Sequence, residues 1–131
     1  MGVASAVKAL KPGVRVLAVE GAHATPVSGA LKAGHVVQVP YQDSFIRSIG
    51  GPSVVPGIWP VARALTDGVC VVQLPEVVAA MGWLASYAKV VAEGAGAAAV
   101  AAAVSDPTLR GNIVCVVSGG NIDMADYVDA L

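Results

Sequence analysis

At 131 residues the chain is long enough for one domain, burying ~65–70% of its unfolded surface. Hydrophobic residues make up 56% and aromatics only 5%, so the core must be built of Val, Ala and Leu, as buried parallel strands under close-packed helices are. A net charge of −1 with scattered Lys and Arg argues against a nucleic-acid surface, and the longest apolar run, residues 94–104, falls far short of the ~20 residues that span a bilayer.

Residues 2–10 read as a helix stopped by Lys11-Pro12-Gly13. No capping sequence precedes it, as if a helix had been cut near its start. Residues 15–19 alternate into a strand ending at Glu20. Thr25 is placed as an N-cap, Pro26 at the first helical position and Gly34 as the stop. Residues 36–39 are expected as a short strand, and 40–56 as irregular chain rich in Gly, Pro and Ser. A helix over 57–65 tolerates Pro60 only in its first turn. Residues 69–74 read as a strand and 75–87 as a helix. Residues 90–91 form a brief strand, 94–104 a helix and 113–117 a strand, and Asp123 caps a last helix. Strands alternating with helices predict an α/β sheet.

Lys8 breaks the apolar start, so no signal peptide is expected. Ala6 stands where a myristoylation motif wants Ser or Thr. Cys70 and Cys115 lie in strand-like runs without CxxC spacing, which suits reduced core thiols. Cytoplasm is the expected compartment, with neither nucleic acid nor membrane as partner.

Two segments carry the most chemical information. Val114-Cys115-Val116-Val117 runs straight into Ser118-Gly119-Gly120-Asn121. Ligands collect where strands of an open parallel sheet end and glycine lets the backbone approach. About one helix upstream stands Glu93-Gly94-Ala95-Gly96-Ala97-Ala98. These segments, with Ser44-Phe45-Ile46-Arg47-Ser48-Ile49-Gly50-Gly51 before Trp59-Pro60, resemble in order and spacing the end of a threonine/serine dehydratase. That family belongs to the pyridoxal-phosphate enzymes of the tryptophan synthase β-subunit fold, known as fold type II.

The resemblance covers essentially the whole chain and implies a fold: the C-terminal part of a three-layer parallel sheet with flanking helices. It also implies that a lysine-bearing N-terminal part is absent, with Met1 just beyond a glycine-rich loop that wraps the cofactor phosphate. Residues 1–131 are therefore expected to be a single partial domain, from a truncated or split enzyme. The implied cofactor is pyridoxal 5′-phosphate and the implied substrate a small amino acid, with L-threonine or L-serine giving a 2-oxo acid and ammonia. The implied partner is the N-terminal part or a second copy.

Carried onto matching positions, the resemblance gives Ser118 the pyridine nitrogen of the cofactor and places Glu93 near the cofactor's edge. Gly119 and Ser48 complete the cofactor-binding set. A hydroxyl can donate to the ring nitrogen without holding a proton there, as a carboxylate would. Two plainer readings stay open: Ser118 caps the last helix, and Glu93 serves the N-terminus of the helix after it. Gly94 and Gly96 are assigned to helix packing.

Three departures weigh on the assignment. Arg47-Ser48 stands where the family's active-site loop carries Asp-Gly. Glu20 matches the first residue of a divalent-cation site in some relatives, but Pro26 occupies the second carboxylate's position, so no metal is expected. The family's Schiff-base lysine lies in a Ser-x-Lys-x-Arg-like setting that occurs nowhere here, and no catalytic residue is assigned. Lys89 is assigned to a helix C-terminus, and His23 and His35 to solvent. Two other classes compete. One is a non-catalytic remnant or split subunit that binds a partner. The other is a nucleotide-binding domain, since residues 94–99 fit G-x-G-x-x-A, though no acid follows about twenty residues on.

Overall fold

The computed structural model describes residues 1–46 and 48–131. Helix α1 (Gly2–Leu10) leads to strand β1 (Leu17–Gly21) and α2 (Pro26–Ala33). After a long irregular stretch come α3 (Trp59–Leu65), β2 (Gly68–Val72) and α4 (Leu74–Trp83), which runs on through a π-helical turn (Leu84–Ala88). Helices α5 (Gly94–Ser105) and α6 (Met124–Ala130) complete the chain.

The two strands pair in parallel, with Leu17 opposite Gly68 and Gly21 opposite Val72. Parallel pairing needs a crossover, here supplied by the chain from α2 through α3. Helix α5 lies on both strands and packs against α4. Ala97, Ala98, Ala101 and Ala102 of α5 close on Val77, Ala80 and Met81 of α4, all buried, with Val72 beneath. Alanine lets the helices approach closely, and the core is correspondingly thin.

Three helix starts have a local cause. Pro60 and Pro75 sit in the first turns of α3 and α4, where the missing N–H costs nothing. The Glu76 carboxylate accepts the Gln73 N–H at 2.7 Å, half of a capping box. Thr25 occupies the cap position of α2 but makes no side-chain cap bond. Glu20 does that work from the end of β1, accepting Val27 N–H at 2.5 Å, Ser28 N–H at 3.0 Å and the Ser28 hydroxyl at 2.7 Å. This accounts for a carboxylate only 4% exposed, since a helix N-terminus favours negative charge. Gly34 ends α2 at φ 78°, the left-handed conformation glycine adopts without penalty.

The α/β architecture is as expected, but the sheet is smaller. Residues 36–39, 90–91 and 113–117 form no ladder with any described residue. Val39 N–H bonds the Pro52 carbonyl and Val90 N–H the Leu84 carbonyl, loop contacts rather than strand pairing. Residues 113–117 lie beside α5, with the Cys115 thiol 3.4 Å from the Ala99 carbonyl. Val114 is 89% and Val116 50% exposed, and their backbone has no neighbouring strand. Among the described residues no helix is long and apolar enough to cross a membrane.

Candidate functional site

Three chain segments meet beside the N-terminus of α5. The Glu93 N–H donates to the Gly119 carbonyl at 3.1 Å, tying the start of the helix to the turn after residues 113–117. The Glu93 carboxylate then accepts the Ser48 hydroxyl at 3.1 Å, tying both to the chain at Ser48. Space is the second constraint. A Cβ on Gly119 would fall on Glu93 Oε1, and one on Gly120 would fall on the Val91 carbonyl at 2.6 Å. Gly120 is needed because backbone approaches backbone too closely for a side chain, whereas at Gly119 the space is taken by the movable Glu93 carboxylate.

A cleft of about 700 Å³ opens in front of this junction. Phe45, Ser48, Glu93, Asn121 and Ile122 line it, together with Asp123 at the cap of α6 and Asp126 and Asp129 along that helix. Helix α6 is held there by Tyr127, which is buried and donates its hydroxyl to the Met81 carbonyl at 3.1 Å.

The structure thus brings together three of the four expected residues: Glu93, Ser48 and Gly119. Ser118 stands one residue away, exposed, and its hydroxyl makes no hydrogen bond to any described residue. It does not cap α6, whose cap position belongs to Asp123. Glu93 occupies the cap position of α5 yet makes no side-chain cap bond, because its carboxylate is turned to Ser48. Gly94 and Gly96 serve packing as expected: a Cβ on Gly94 would strike Phe45 and Ile46, and one on Gly96 the Gly119 carbonyl. With both glycines filled by the chain itself, no pyrophosphate could lie against them, which removes the nucleotide-binding reading. Arg47 lies outside the described residues.

Sequence reading missed the α6 wall, although three acids spaced by three, Asp123, Asp126 and Asp129, mark one helix face. It also misplaced His23. The Nδ1 atom of His23 is buried with no partner among the described residues, and the ring meets Tyr41 edge-on at 6.4 Å. His35 is exposed, with Nδ1 3.0 Å from the Ala33 carbonyl. No lysine lines the cleft. Lys8 pairs with Asp67 at 2.5 Å, and Lys89 donates to the Ser86 carbonyl at 2.7 Å from a residue at φ 58°. Burial pushes both thiols up, Cys70 further held by the Asp106 carboxylate 3.8 Å away, so neither is an activated nucleophile.

Comparison with known proteins extends the picture. The chain is 36% identical to an L-threonine ammonia-lyase of Geobacter sulfurreducens over 94% of its own length and 31% of that protein's. It is 32% identical to a serine racemase of Arabidopsis thaliana, over 98% of its length and 41% of that protein's. The crystal structure of a threonine deaminase from T.th. superposes with a TM-score of 0.87 at 30% identity, covering 93% of this chain and 42% of that one. The chain spans roughly a third of the length of the curated relatives it matches. Residues 1–119 match the family described as pyridoxal-phosphate dependent enzyme, and to that family this chain belongs.

Proposed function

We propose that the chain is the C-terminal part of a dehydratase that converts L-threonine or L-serine to a 2-oxo acid and ammonia, and that it is inactive by itself. The observation that carries this reading is the junction of Glu93, Ser48 and Gly119 beside an unengaged Ser118 hydroxyl. The donor set fits the ring end of pyridoxal phosphate. Ser118 would offer a neutral donor to the ring nitrogen, Glu93 with Ser48 behind it would hold the ring's edge, and Gly119 and Gly120 would keep that edge free of side chains of their own. Bound pyridoxal phosphate supplies an electron sink for the bonds broken at the substrate's α-carbon. Ser118 leaves that sink mild, because a hydroxyl does not hold a proton on the ring nitrogen. A mild sink suits loss of the β-hydroxyl, because elimination itself relieves the carbanion.

Nothing lining the cleft can serve as the lysine base. The reading therefore includes a partner: a lysine-bearing N-terminal part of the same family, laid against residues 113–117. Val114 and Val116, exposed on a segment with no neighbouring strand, support this over a self-sufficient protein. Two free thiols suit a reducing compartment, and we place the protein in the cytoplasm.

The test uses this chain mixed with the N-terminal part of a related dehydratase. Ser118→Ala should leave the melting temperature of the chain unchanged, since the hydroxyl holds nothing in it, and should weaken cofactor binding by ~0.5–1.5 kcal/mol. Ser118→Asp should shift products from keto acid toward racemised amino acid. Equal product ratios for Ser118→Asp and the unmodified chain would remove Ser118 from the site.

A further inference from the structure

The Glu93 side chain stands at the meeting of three segments, and its two oxygens are used differently. Oε1 lies over Gly119, in the space a Cβ would fill. Oε2 accepts the Ser48 hydroxyl at 3.1 Å. No ion pair among the described residues involves this carboxylate, so Ser48 is the one described side chain that hydrogen-bonds it. The contact spans 45 positions in sequence, joining a loop to the start of α5. A glutamate free of such a bond samples several rotamers.

We propose that Ser48 is a positioning residue: its hydroxyl selects the Glu93 rotamer that faces Gly119 and fastens the chain at Ser48 to the start of α5. The inference rests on the cofactor reading above and refines it, because Ser48 then acts through Glu93 instead of touching the ring itself. Glycine at this position, which the dehydratase resemblance leads one to expect, would offer no donor. This chain carries a latch that the family pattern lacks. A merely solvated turn serine would make no difference to Glu93.

The test is nuclear magnetic resonance on the isotopically labelled 131-residue chain, comparing Ser48→Ala and Ser48→Thr with the unmodified protein. Scalar couplings of Glu93 should report one dominant χ1 rotamer in the unmodified chain and in Ser48→Thr, which keeps a hydroxyl. In Ser48→Ala they should average, and the Gly119 amide should move. Pyridoxamine phosphate, which has no aldehyde to trap surface lysines, is then titrated into each labelled chain mixed with the N-terminal part of a related dehydratase. Its dissociation constant, read at the amides of 118–120, should rise about two- to tenfold in Ser48→Ala, the loss of one hydrogen bond, and recover in Ser48→Thr. Identical Glu93 couplings in Ser48→Ala and the unmodified chain overturn the latch. Pyridoxamine phosphate that moves no amide at 118–120 in the unmodified chain overturns the cofactor reading instead, and the couplings still decide the latch.

Discussion

The tetrapeptide Val-Cys-Val-Val occurs twice in this chain, at 69–72 and at 114–117, with opposite fates. The first copy forms most of β2, pairs with β1 and buries Val72 to 1% exposure. The second has no strand beside it and leaves Val114 at 89%. Identical side chains have identical intrinsic preferences, so the difference is environmental: β propensity measures how well a residue fits a pleated, half-covered surface. The first copy has α4 and α5 to cover it and β1 to complete its backbone. Among the described residues the second has α5 beside it and no strand to pair with.

The comparison breaks most sharply at its buried end. Val72→Asp puts a carboxylate at a position with 1% exposure, in a cluster of alanines, Val77 and Met81. An unpaired buried charge is among the costliest changes a core can receive, and a loss exceeding ~4 kcal/mol is expected. The chain should fail to show a cooperative thermal transition. A preserved transition within a few degrees would mean that β2 is no better covered than its twin.

A smaller effect is expected where the two regions touch. Gly96 of α5 faces the Gly119 carbonyl so closely that Gly96→Ala must push the turn away from the helix. Overpacking of this kind costs ~1–3 kcal/mol, and the Glu93 N–H to Gly119 bond should break with it. Faster hydrogen exchange at the Glu93 amide reads this directly. Unchanged protection would show that the turn is free to follow.

How much of this is legible in the sequence follows the same division. Pro26 and Gly34 bound helix α2 correctly, and Lys11-Pro12-Gly13 ends α1, because those residues act on the backbone locally. Strands β1 and β2 fall within a few residues of their expected places, since both lie within the layered core. Residues 113–117 read as a strand on composition alone, and composition cannot supply a neighbour. In the site, Glu93, Ser48 and Gly119 come from motif order, and their meeting is a distance no spacing rule gives. The buried face of His23 and the Tyr127 anchor depend on contacts far along the chain, and Glu20 caps α2 across a turn that no capping pattern marks.

The rim of the covered region carries a pH signal. Asp67 bonds Lys8 at 2.5 Å and the Val16 N–H at 2.7 Å, where the chain enters β1. The Lys8 hydrogen bond first, then that of Val16, holds its carboxyl below the usual range. A carboxylate lowered by folding stabilises above its unfolded value, and that contribution disappears as pH falls through the folded one. Asp67→Asn should therefore lower the melting temperature slightly at neutral pH, with the gap to the unmodified chain closing in acid. The effect is small because the pair is exposed to solvent and salt. A gap that persists unchanged to pH values well below the carboxylate range would refute the assignment.

The smallest effect on stability is expected at the second copy, where it is the most informative. Val114→Asp changes a side chain that is 89% exposed and packs against almost nothing. The stability of the chain alone should move by no more than ~0.5 kcal/mol, the ordinary range for surface sites. If residues 113–117 are a strand awaiting its neighbour, the same substitution becomes a buried charge once an N-terminal part is laid against it, and the cost appears only then. Titrating the unmodified chain and Val114→Asp with that part separates the two states of the segment. Equal affinity would mean that this face stays open to water in the assembled enzyme. A change that is silent in the free chain and costly in the complex would identify residues 113–117 as the same kind of strand as β2, lacking only a neighbour.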